Sequence, residues 1–246
     1  MKCLVPGIFL ALAISFTALP SFAEEDIEAP PKKHPDTSRW DKLYEDDLSN
    51  MTCNKKKVWS IKDGVLSATE DRNLWTRKDY DNFILDLEFK TADKTNSGVH
   101  LYFSKPGAKD WFNYCVEVQI TDDHSDHWSS KPKEWQCGAI FGHQGAKKSA
   151  VKKPGEWNRY TITCIDKKIY VMLNGEMVNE FDMSKWTDAE KTPDGKKIPR
   201  WLTKKAMAEL PTKGRIGFQG KHAGAPVYFR NMRIKEIKNT KDKQGE

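Results

Sequence analysis

The stretch Val116-Glu117-Val118-Gln119-Ile120 decides the fold, because apolar and polar side chains alternate through it with a period of two. Successive side chains of a β-strand point to opposite faces of a sheet. The sequence therefore predicts that the two valines and the isoleucine face a hydrophobic core, while Glu117 and Gln119 lie side by side on the opposite face. A strand of this kind leaves a polar face available to a ligand.

The same alternation recurs along the chain from Trp40 onward. Asp63-Gly64 and Asn174-Gly175 are turn signals typical of β-hairpins. Segment 183–210 is an exception, because Pro193-Asp194-Gly195 interrupts it, and we expect an elaborated loop there. The sequence predicts one all-β domain, a jelly-roll sandwich of two antiparallel sheets. The alternating segments are residues 59–66, 83–90, 98–103, 115–120, 160–164, 169–173, 214–219 and 227–237.

Composition excludes several classes of protein. The 246 residues are 38% hydrophobic and 31% charged, which argues against fibrous and polytopic membrane proteins, and 11% aromatic residues argues against a disordered chain. The formal net charge is +6, but the lysines are scattered in pairs among acidic residues. A nucleic-acid partner is therefore not expected, since such proteins concentrate their basic charge on one surface.

The first 23 residues have the pattern of a secretory signal peptide. Lys2 precedes an apolar run from Cys3 to Leu19, and Ser21-Phe22-Ala23 ends it with small residues at the cleavage positions. We expect cleavage near Ala23 and a secreted or periplasmic protein, with no later segment long enough to span a membrane. The predicted parts of the chain are signal peptide 1–23, flexible lead-in 24–37, β-sandwich domain 38–238 and basic tail 239–246.

Loss of the signal peptide removes one of the five cysteines and leaves Cys53, Cys115, Cys137 and Cys164. An even number in an oxidising compartment permits disulfides, with three alternative pairings. Buried free thiols are the other interpretation. The spacings contain no CxxC pair, so a structural zinc site is not expected.

A second strand adds polar groups to the same predicted surface. Alternation through residues 98–103 directs His100 and Tyr102 away from the core, beside Gly98. If this strand neighbours residues 116–120, an acid, an amide, an imidazole and a phenol share one face. Such groups give directional hydrogen bonds to a polyhydroxylated ligand, so the pattern favours a carbohydrate-binding groove. An ordinary solvated sheet face is the alternative.

Seven short motifs then carry a resemblance to a known family. Together they are similar to the 3-keto-disaccharide hydrolase family, long catalogued as a domain of unknown function (DUF1080), over residues 40–237. The motifs are Trp59-x-Ile61-x-Asp63-Gly64-x-Leu66, Asn96-Ser97-Gly98-Val99, Val116-Glu117-Val118-Gln119-Ile120-x-Asp122, Gly155-Glu156-Trp157-Asn158, Leu173-Asn174-Gly175, Gly214-x-Ile216-Gly217-Phe218-Gln219 and Phe229-Arg230-Asn231-Met232-x-Ile234.

The resemblance implies a concanavalin-like jelly roll that cleaves glycosides oxidised at carbon 3 of the sugar. A ketone at carbon 3 acidifies the hydrogen on carbon 2, so a single base can start elimination of the group on carbon 1, and water addition completes a net hydrolysis. Glu117 is the expected catalytic carboxylate, with His100 and His222 as further candidate catalytic groups. A non-catalytic carbohydrate-binding module with the same fold is the alternative.

Several other side chains are candidate ligands of the substrate or of a cation. The expected substrate contacts are Gln119, Tyr102, Gln219, Arg230, Trp128 and Asn96. Two of these have a structural alternative, an ion pair for Arg230 and loop or core packing for Trp128. The loop after residue 121 is rich in acids and imidazoles, so Asp122, His124 and Asp126 are a candidate site for a divalent cation. No other cofactor is expected.

Overall fold

The computed structural model describes residues 29–202 and 204–237, and within them thirteen strands form two antiparallel sheets. The helical segments there are short: α1 (Asp126–Ser129) and five 3₁₀ turns. The strands are β1 (Asp41–Lys42), β2 (Met51–Thr52), β3 (Trp59–Lys62), β4 (Val65–Ala68), β5 (Leu74–Tyr80), β6 (Phe83–Thr91), β7 (Asn96–Phe103), β8 (Val116–Thr121), β9 (Trp157–Ile165), β10 (Lys168–Leu173), β11 (Glu176–Asp182), β12 (Gly214–Phe218) and β13 (Val227–Glu236). The 3₁₀ turns are Trp111–Tyr114, Lys133–Trp135, Met183–Lys185, Arg200–Leu202 and Met207–Glu209.

The two sheets differ in size. The large sheet has the order β11-β10-β9-β6-β13-β4-β3, with β1 paired to β13, and the small sheet has the order β2-β5-β12-β7-β8. Neighbouring strands that are distant in sequence, such as β6 with β13 and β7 with β12, give the sandwich its jelly-roll connectivity. The predicted all-β sandwich of two antiparallel sheets is confirmed. No helix in the described residues is long and apolar enough to cross a membrane.

The core lies between the sheets and is built by alternation. Val116, Val118 and Ile120 of the small sheet are fully buried, as are Leu85 and Leu87 of the large sheet. Aromatic rings bridge the two layers, for example Phe218 against Phe229 with ring centroids 5.4 Å apart. The predicted inward orientation of the apolar positions in the deciding stretch is therefore confirmed.

The alternation fails at one residue of β7. Tyr102 was expected on the outer face, but it has a φ of +60° and lies in the core, only 1% exposed, with its ring 6.0 Å from that of Phe83. The register between β12 and β7 shifts here, so two residues of β7 oppose one of β12. Such a bulge reverses the face of every residue after it. Phe103 consequently takes the outer face, and the prediction for Tyr102 is wrong.

A glycine makes this bulge sterically possible. A Cβ at Gly214 of β12 would lie 2.5 Å from the backbone carbon of Tyr102, closer than real Cβ atoms approach. The two backbones can meet here only because residue 214 has no side chain. The cause of the reversed face is therefore a contact with a strand that is distant in sequence.

Cys53, Cys115, Cys137 and Cys164 lie among the described residues, and all four are free thiols, which agrees with the second interpretation of these residues. The predicted signal peptide, the first part of the lead-in and the basic tail from residue 239 lie outside the described residues. Residues 29–37 of the lead-in are described, and His34 contacts the large sheet: its Nδ1 lies 2.7 Å from Thr161 Oγ1 and its Nε2 accepts from the Gly175 N–H at 2.8 Å.

Candidate active site

Strands β7 and β8 bring the predicted polar residues onto one face of the small sheet. His100 lies opposite Glu117, and Gly98 lies opposite Gln119. The Gln119 Nε2 donates to Asn96 Oδ1 at 3.1 Å, so Asn96 belongs to the same face. The predicted proximity of Glu117, Gln119 and His100 is therefore present, and we call this surface the small-sheet face.

Glu117 has a position that only a glycine allows. A Cβ added at Gly98 would lie 2.1 Å from Glu117 Oε1, so the carboxyl group occupies the space above that glycine. The Glu117 side chain is 13% exposed, and among the described residues none donates a hydrogen bond to its carboxylate. Burial raises the pKa of Glu117 to about 8. The group is therefore mainly a neutral carboxylic acid at pH 7 and can donate a proton.

His100 is enclosed rather than exposed. Its ring lies 4.6 Å from Trp111 and 5.3 Å from Trp75, and its side chain has no accessible surface. Its Nδ1 is 4.0 Å from Glu117 Oε1, and neither ring nitrogen has a hydrogen-bond partner among the described residues. Burial lowers the pKa of His100 to about 3, so the imidazole is neutral. A substrate cannot touch it directly in this arrangement, and it serves as an uncharged neighbour of Glu117.

His222 lies further along the same face. It forms an isolated antiparallel bridge with Asn96, and residues paired in this way project from the same side of a sheet. Its Nδ1 is 2.7 Å from Asp71 Oδ2, and its side chain is 41% exposed. When the carboxylate accepts a hydrogen bond from the Nδ1–H of a neutral imidazole, the Nε2 carries a lone pair. The pair can therefore present a base at the surface.

Glu117 and His222 lie beside successive outward-facing positions of β7. The Glu117 carboxyl lies above Gly98, and His222 lies beside Asn96, two residues away on the same strand. Two residues of a strand span roughly 7 Å. Gln219 borders this interval, because its backbone N–H donates to the Gly98 carbonyl at 3.0 Å. A polar floor of amides is thus flanked by a carboxylic acid on one side and an imidazole on the other.

Aromatic side chains lie near the carboxylic acid, and two of them, Phe112 and Phe141, line the same small pocket. Trp75 stacks on Phe103 with centroids 4.1 Å apart, and Phe112, Trp135 and Phe141 continue the aromatic surface into the loops. The Phe141 N–H donates to the Glu117 carbonyl at 2.9 Å, which fixes this loop to the free edge of β8. Trp75 follows Leu74 and precedes Thr76, so alternation could have identified it as an outward-facing residue.

The sequence reasoning missed two further site residues. His143 lines the same small pocket as Glu117, with its Nδ1 2.8 Å from the Phe141 carbonyl, and burial lowers its pKa. Asp71 lies in the loop before β5 and contacts His222. No pattern around either residue signals a site, because each comes near its partner only through the fold.

Two predicted substrate contacts lie elsewhere. The Arg230 Nε donates to Glu88 Oε2 at 2.6 Å on the large sheet, and its guanidinium group lies 4.0 Å over the Trp157 ring. Trp128 is buried, with its Nε1 donating to the Lys94 carbonyl at 3.2 Å. Arg230 therefore forms the ion pair named as its alternative and lies on the large sheet, and the buried Trp128 indole packs against the loop before β7.

The predicted cation ligands do not converge. Asp122 accepts hydrogen bonds from the Lys94 N–H at 2.9 Å and the His124 N–H at 3.2 Å, while His124 Nε2 lies 3.0 Å from the Val151 carbonyl. Asp126 lies in the first turn of α1. Within the residues that the structure describes, no group of three or more His, Cys, Asp or Glu side chains could hold a metal ion. The prediction of a site at Asp122, His124 and Asp126 is wrong, because the Asp122 and His124 side chains bond to loop backbone instead.

Comparison with known proteins is consistent with this architecture. Residues 34–235 match a family described as the 3-keto-alpha-glucoside-1,2-lyase-like domain. No curated protein matches the sequence. A candidate glycosyl hydrolase from Parabacteroides distasonis is 49% identical, with 81% of this chain and 100% of that chain covered and a TM-score of 0.77.

Two more distant structures show the fold alone. Another candidate glycosyl hydrolase from Parabacteroides distasonis is 24% identical, covering 78% of this chain and 90% of its own, with a TM-score of 0.61. A Bacillus subtilis protein of unknown function with a galectin-like fold is 13% identical, covering 80% and 94%, with a TM-score of 0.51. Both agree with a jelly-roll sandwich.

Proposed function

Because the chain belongs to the 3-keto-alpha-glucoside-1,2-lyase-like family, we propose that it is an enzyme that cleaves the glycosidic bond of 3-keto-glycosides or related disaccharides. One observation carries the proposal: a carboxylic acid, Glu117, and an imidazole paired with a carboxylate, His222 with Asp71, flank an interval of amide side chains on one sheet face. An acid and a base so arranged suit a reaction that moves one proton off the sugar and another onto the leaving group.

The proposed reaction is an elimination followed by addition of water. His222 Nε2 takes the proton from carbon 2, which the neighbouring ketone has made acidic. The electron pair of that C–H bond first forms an enolate with its charge on the ketone oxygen, and it then forms the double bond between carbons 1 and 2 as the bond from carbon 1 to the leaving oxygen breaks. Glu117 gives its proton to that oxygen. Addition of water across the double bond then yields the free 3-keto sugar.

Amide groups on the floor supply the stabilisation that the intermediate needs. Negative charge develops on the ketone oxygen as the proton leaves carbon 2, and neutral N–H donors fixed beforehand lower the energy of such an enolate. Gln119 donates to Asn96 Oδ1, which leaves the Asn96 Nδ2 as a donor. Gln219, buried beside Gly98, is the second amide of this floor.

The test compares two leaving groups in the variant Glu117→Gln, which keeps the shape of the side chain but cannot give up a proton. For methyl 3-keto-glucoside, whose methoxide must be protonated, we expect kcat/KM to fall roughly 10²- to 10⁴-fold. For 4-nitrophenyl 3-keto-glucoside, whose leaving group needs no proton, the fall is expected to be much smaller. The matched control is Glu88→Gln on the large sheet, which should behave as the wild type.

The outcomes separate the proposal from its rival. Equal losses for both leaving groups would remove proton donation by Glu117 from the mechanism. Saturable binding of both glycosides by the wild type without any release of alcohol would identify a carbohydrate-binding module. Wild-type activity on the methyl glycoside should also decline as the pH rises through about 8, where Glu117 loses its proton.

Export is part of the same proposal and rests on residues 1–23. The protein made by its host from the full chain is expected in the periplasm or the medium, with Glu24 as its first residue. N-terminal sequencing of the purified protein reads this directly. Retention inside the cell with an intact Met1 would contradict export.

A further inference from the structure

One large apolar side chain near the site remains in solvent. Trp201 is 46% exposed, and it is the only large hydrophobic residue so exposed in the part of the chain that the structure describes. It lies in the 3₁₀ turn Arg200–Leu202 of the long loop between β11 and β12. An exposed tryptophan costs hydration free energy, so a position of this kind indicates a binding surface when other apolar groups adjoin it.

Three aromatic neighbours hold this ring in place. Its centroid lies 5.6 Å from Phe112 at an interplanar angle of 73°, 6.4 Å from Trp135 at 89°, and 5.7 Å from Phe141 at 45°. We call these four residues the aromatic cluster. The edge-on and tilted contacts fix the Trp201 ring while leaving much of its surface in solvent. A planar ligand could therefore stack there without ordering the side chain first.

The aromatic cluster adjoins the proton donor. Phe112, Phe141 and Glu117 line one small pocket, whose floor is closed by Leu202 and Met207. Its free volume of about 20 Å³ admits roughly one water molecule. A group attached to the oxygen that Glu117 protonates is too large for this pocket, and the exposed surface of the aromatic cluster is the apolar surface that adjoins it.

The chemistry of the two sides of Glu117 differs. Toward His222 the floor consists of amides, which suit sugar hydroxyls and the ketone. Toward Trp201 the exposed surface is mainly aromatic, with Asn113, His143 and Lys205 in the small pocket beside it. A second sugar would cover these rings only with its C–H face and would still need water or these few polar groups for its hydroxyls. An apolar aromatic ring has no hydroxyl groups that need hydrogen bonds, and its whole face gains burial and stacking.

We propose that the aromatic cluster is the leaving-group subsite and that the preferred substrates are 3-keto-glycosides with an aromatic, apolar aglycone. This inference rests on the proposed function and names its substrate class. Trp201 then determines leaving-group specificity, because it contacts the aglycone and not the reacting atoms.

The test uses benzyl and methyl 3-keto-glucosides, whose leaving alcohols are similar in acidity, together with a 3-keto-disaccharide. In the wild type, kcat/KM for the benzyl glycoside should exceed that for the methyl glycoside by about tenfold, through a lower KM. Trp201→Ala should remove this preference while changing the methyl value less than twofold, and Trp201→Phe should keep most of it. Trp157→Ala, a half-buried tryptophan on the large sheet, is the matched control.

Calorimetric titration of the same glycosides tests the leaving-group subsite separately from the proposed cleavage reaction. A benzyl-over-methyl affinity ratio of about tenfold, lost in Trp201→Ala, would support the subsite even if no alcohol were released, in which case only the proposed reaction fails. Equal affinity for benzyl and methyl glycosides would overturn the subsite. A wild-type preference for the disaccharide that Trp201→Ala abolishes would overturn the aromatic aglycone and assign the cluster to a second sugar.

Discussion

The outer faces of the two sheets both carry carboxyl side chains, but these differ in whether a neighbouring group donates a hydrogen bond to them. On the large sheet, Asp86 accepts from the Arg159 Nε at 3.0 Å and from Thr161 Oγ1 at 2.6 Å, and Glu88 accepts from Arg230. On the small sheet, Glu117 has no hydrogen-bond donor among the described residues. The large-sheet face is a structural network, whereas the small-sheet face keeps its carboxyl available.

Carboxyl groups with and without hydrogen-bond donors affect the stability of the fold differently. A buried polar group without a partner destabilises the fold, so such groups persist where a function requires them. Paired charges on a partly exposed face contribute little net stability but are costly to disrupt. Changes on the small sheet should therefore affect the reaction, and matched changes on the large sheet should affect stability alone.

The largest contrast is expected between two histidines. His222→Gln should lower kcat/KM and the exchange of the carbon 2 hydrogen in D₂O by roughly 10²- to 10⁴-fold, because the base is lost. Asp71→Asn should lower kcat by about tenfold with KM nearly unchanged, since Asp71 is a positioning residue. The control His34→Gln, on the large sheet, should retain wild-type turnover. Turnover of His222→Gln within fivefold of the wild type would exclude His222 as the base.

A large effect on stability is expected from Asp86→Asn. Burial raises the pKa of Asp86 in spite of its bonds to Thr161 and Arg159, so the intact pair contributes little. Replacing one partner leaves Arg159 without its counter-charge, and we expect the free energy of unfolding to fall by about 2 kcal/mol. Urea denaturation measures this, and kcat of the folded variant should be unchanged. A loss of activity without a loss of stability would contradict the purely structural role of the large-sheet face.

The pH dependence of stability should differ between the wild type and Glu117→Gln. The folded pKa of Glu117 is about 8, above its ordinary value of 4.5. Between these values the unfolded chain has released the proton and the folded chain has kept it, so stability falls as pH rises toward 8. From pH 6.5 to 9 we expect the wild type to lose roughly 1–2 kcal/mol more than the variant. Parallel unfolding curves at both pH values would contradict the buried acid.

The smallest effect is expected at Arg230, which the sequence had suggested as a substrate contact. Its side chain is 36% exposed and its partner Glu88 lies on the large sheet. Arg230→Gln should change the free energy of unfolding by less than about 1 kcal/mol. Steady-state kinetics should give unchanged kcat and KM. A rise in KM above fivefold would restore Arg230 to the binding site.

The two-sheet fold and the outward position of Glu117 could be predicted from the alternation of apolar and polar residues. Alternation alone identified the core side of Val116 and the outward side of Glu117, since a side chain's face depends only on its position in its own strand. The same rule failed at Tyr102, because the bulge depends on Gly214 in another strand. It also could not distinguish Arg230 from Gln219, because both are outward-facing residues but on different sheets.

Within each regular strand the sequence by itself determined which residues face inward and which face outward, because that parity is set within a few covalent bonds and changes only at a bulge such as Tyr102. Only the tertiary structure decided which outward groups are paired. Arg159 comes to Asp86, and Gly98 makes room for the Glu117 carboxyl, through strands that are far apart in the chain. A charge is neutralised or left available by what packs beside it in space, and that is a property of the assembled sheets.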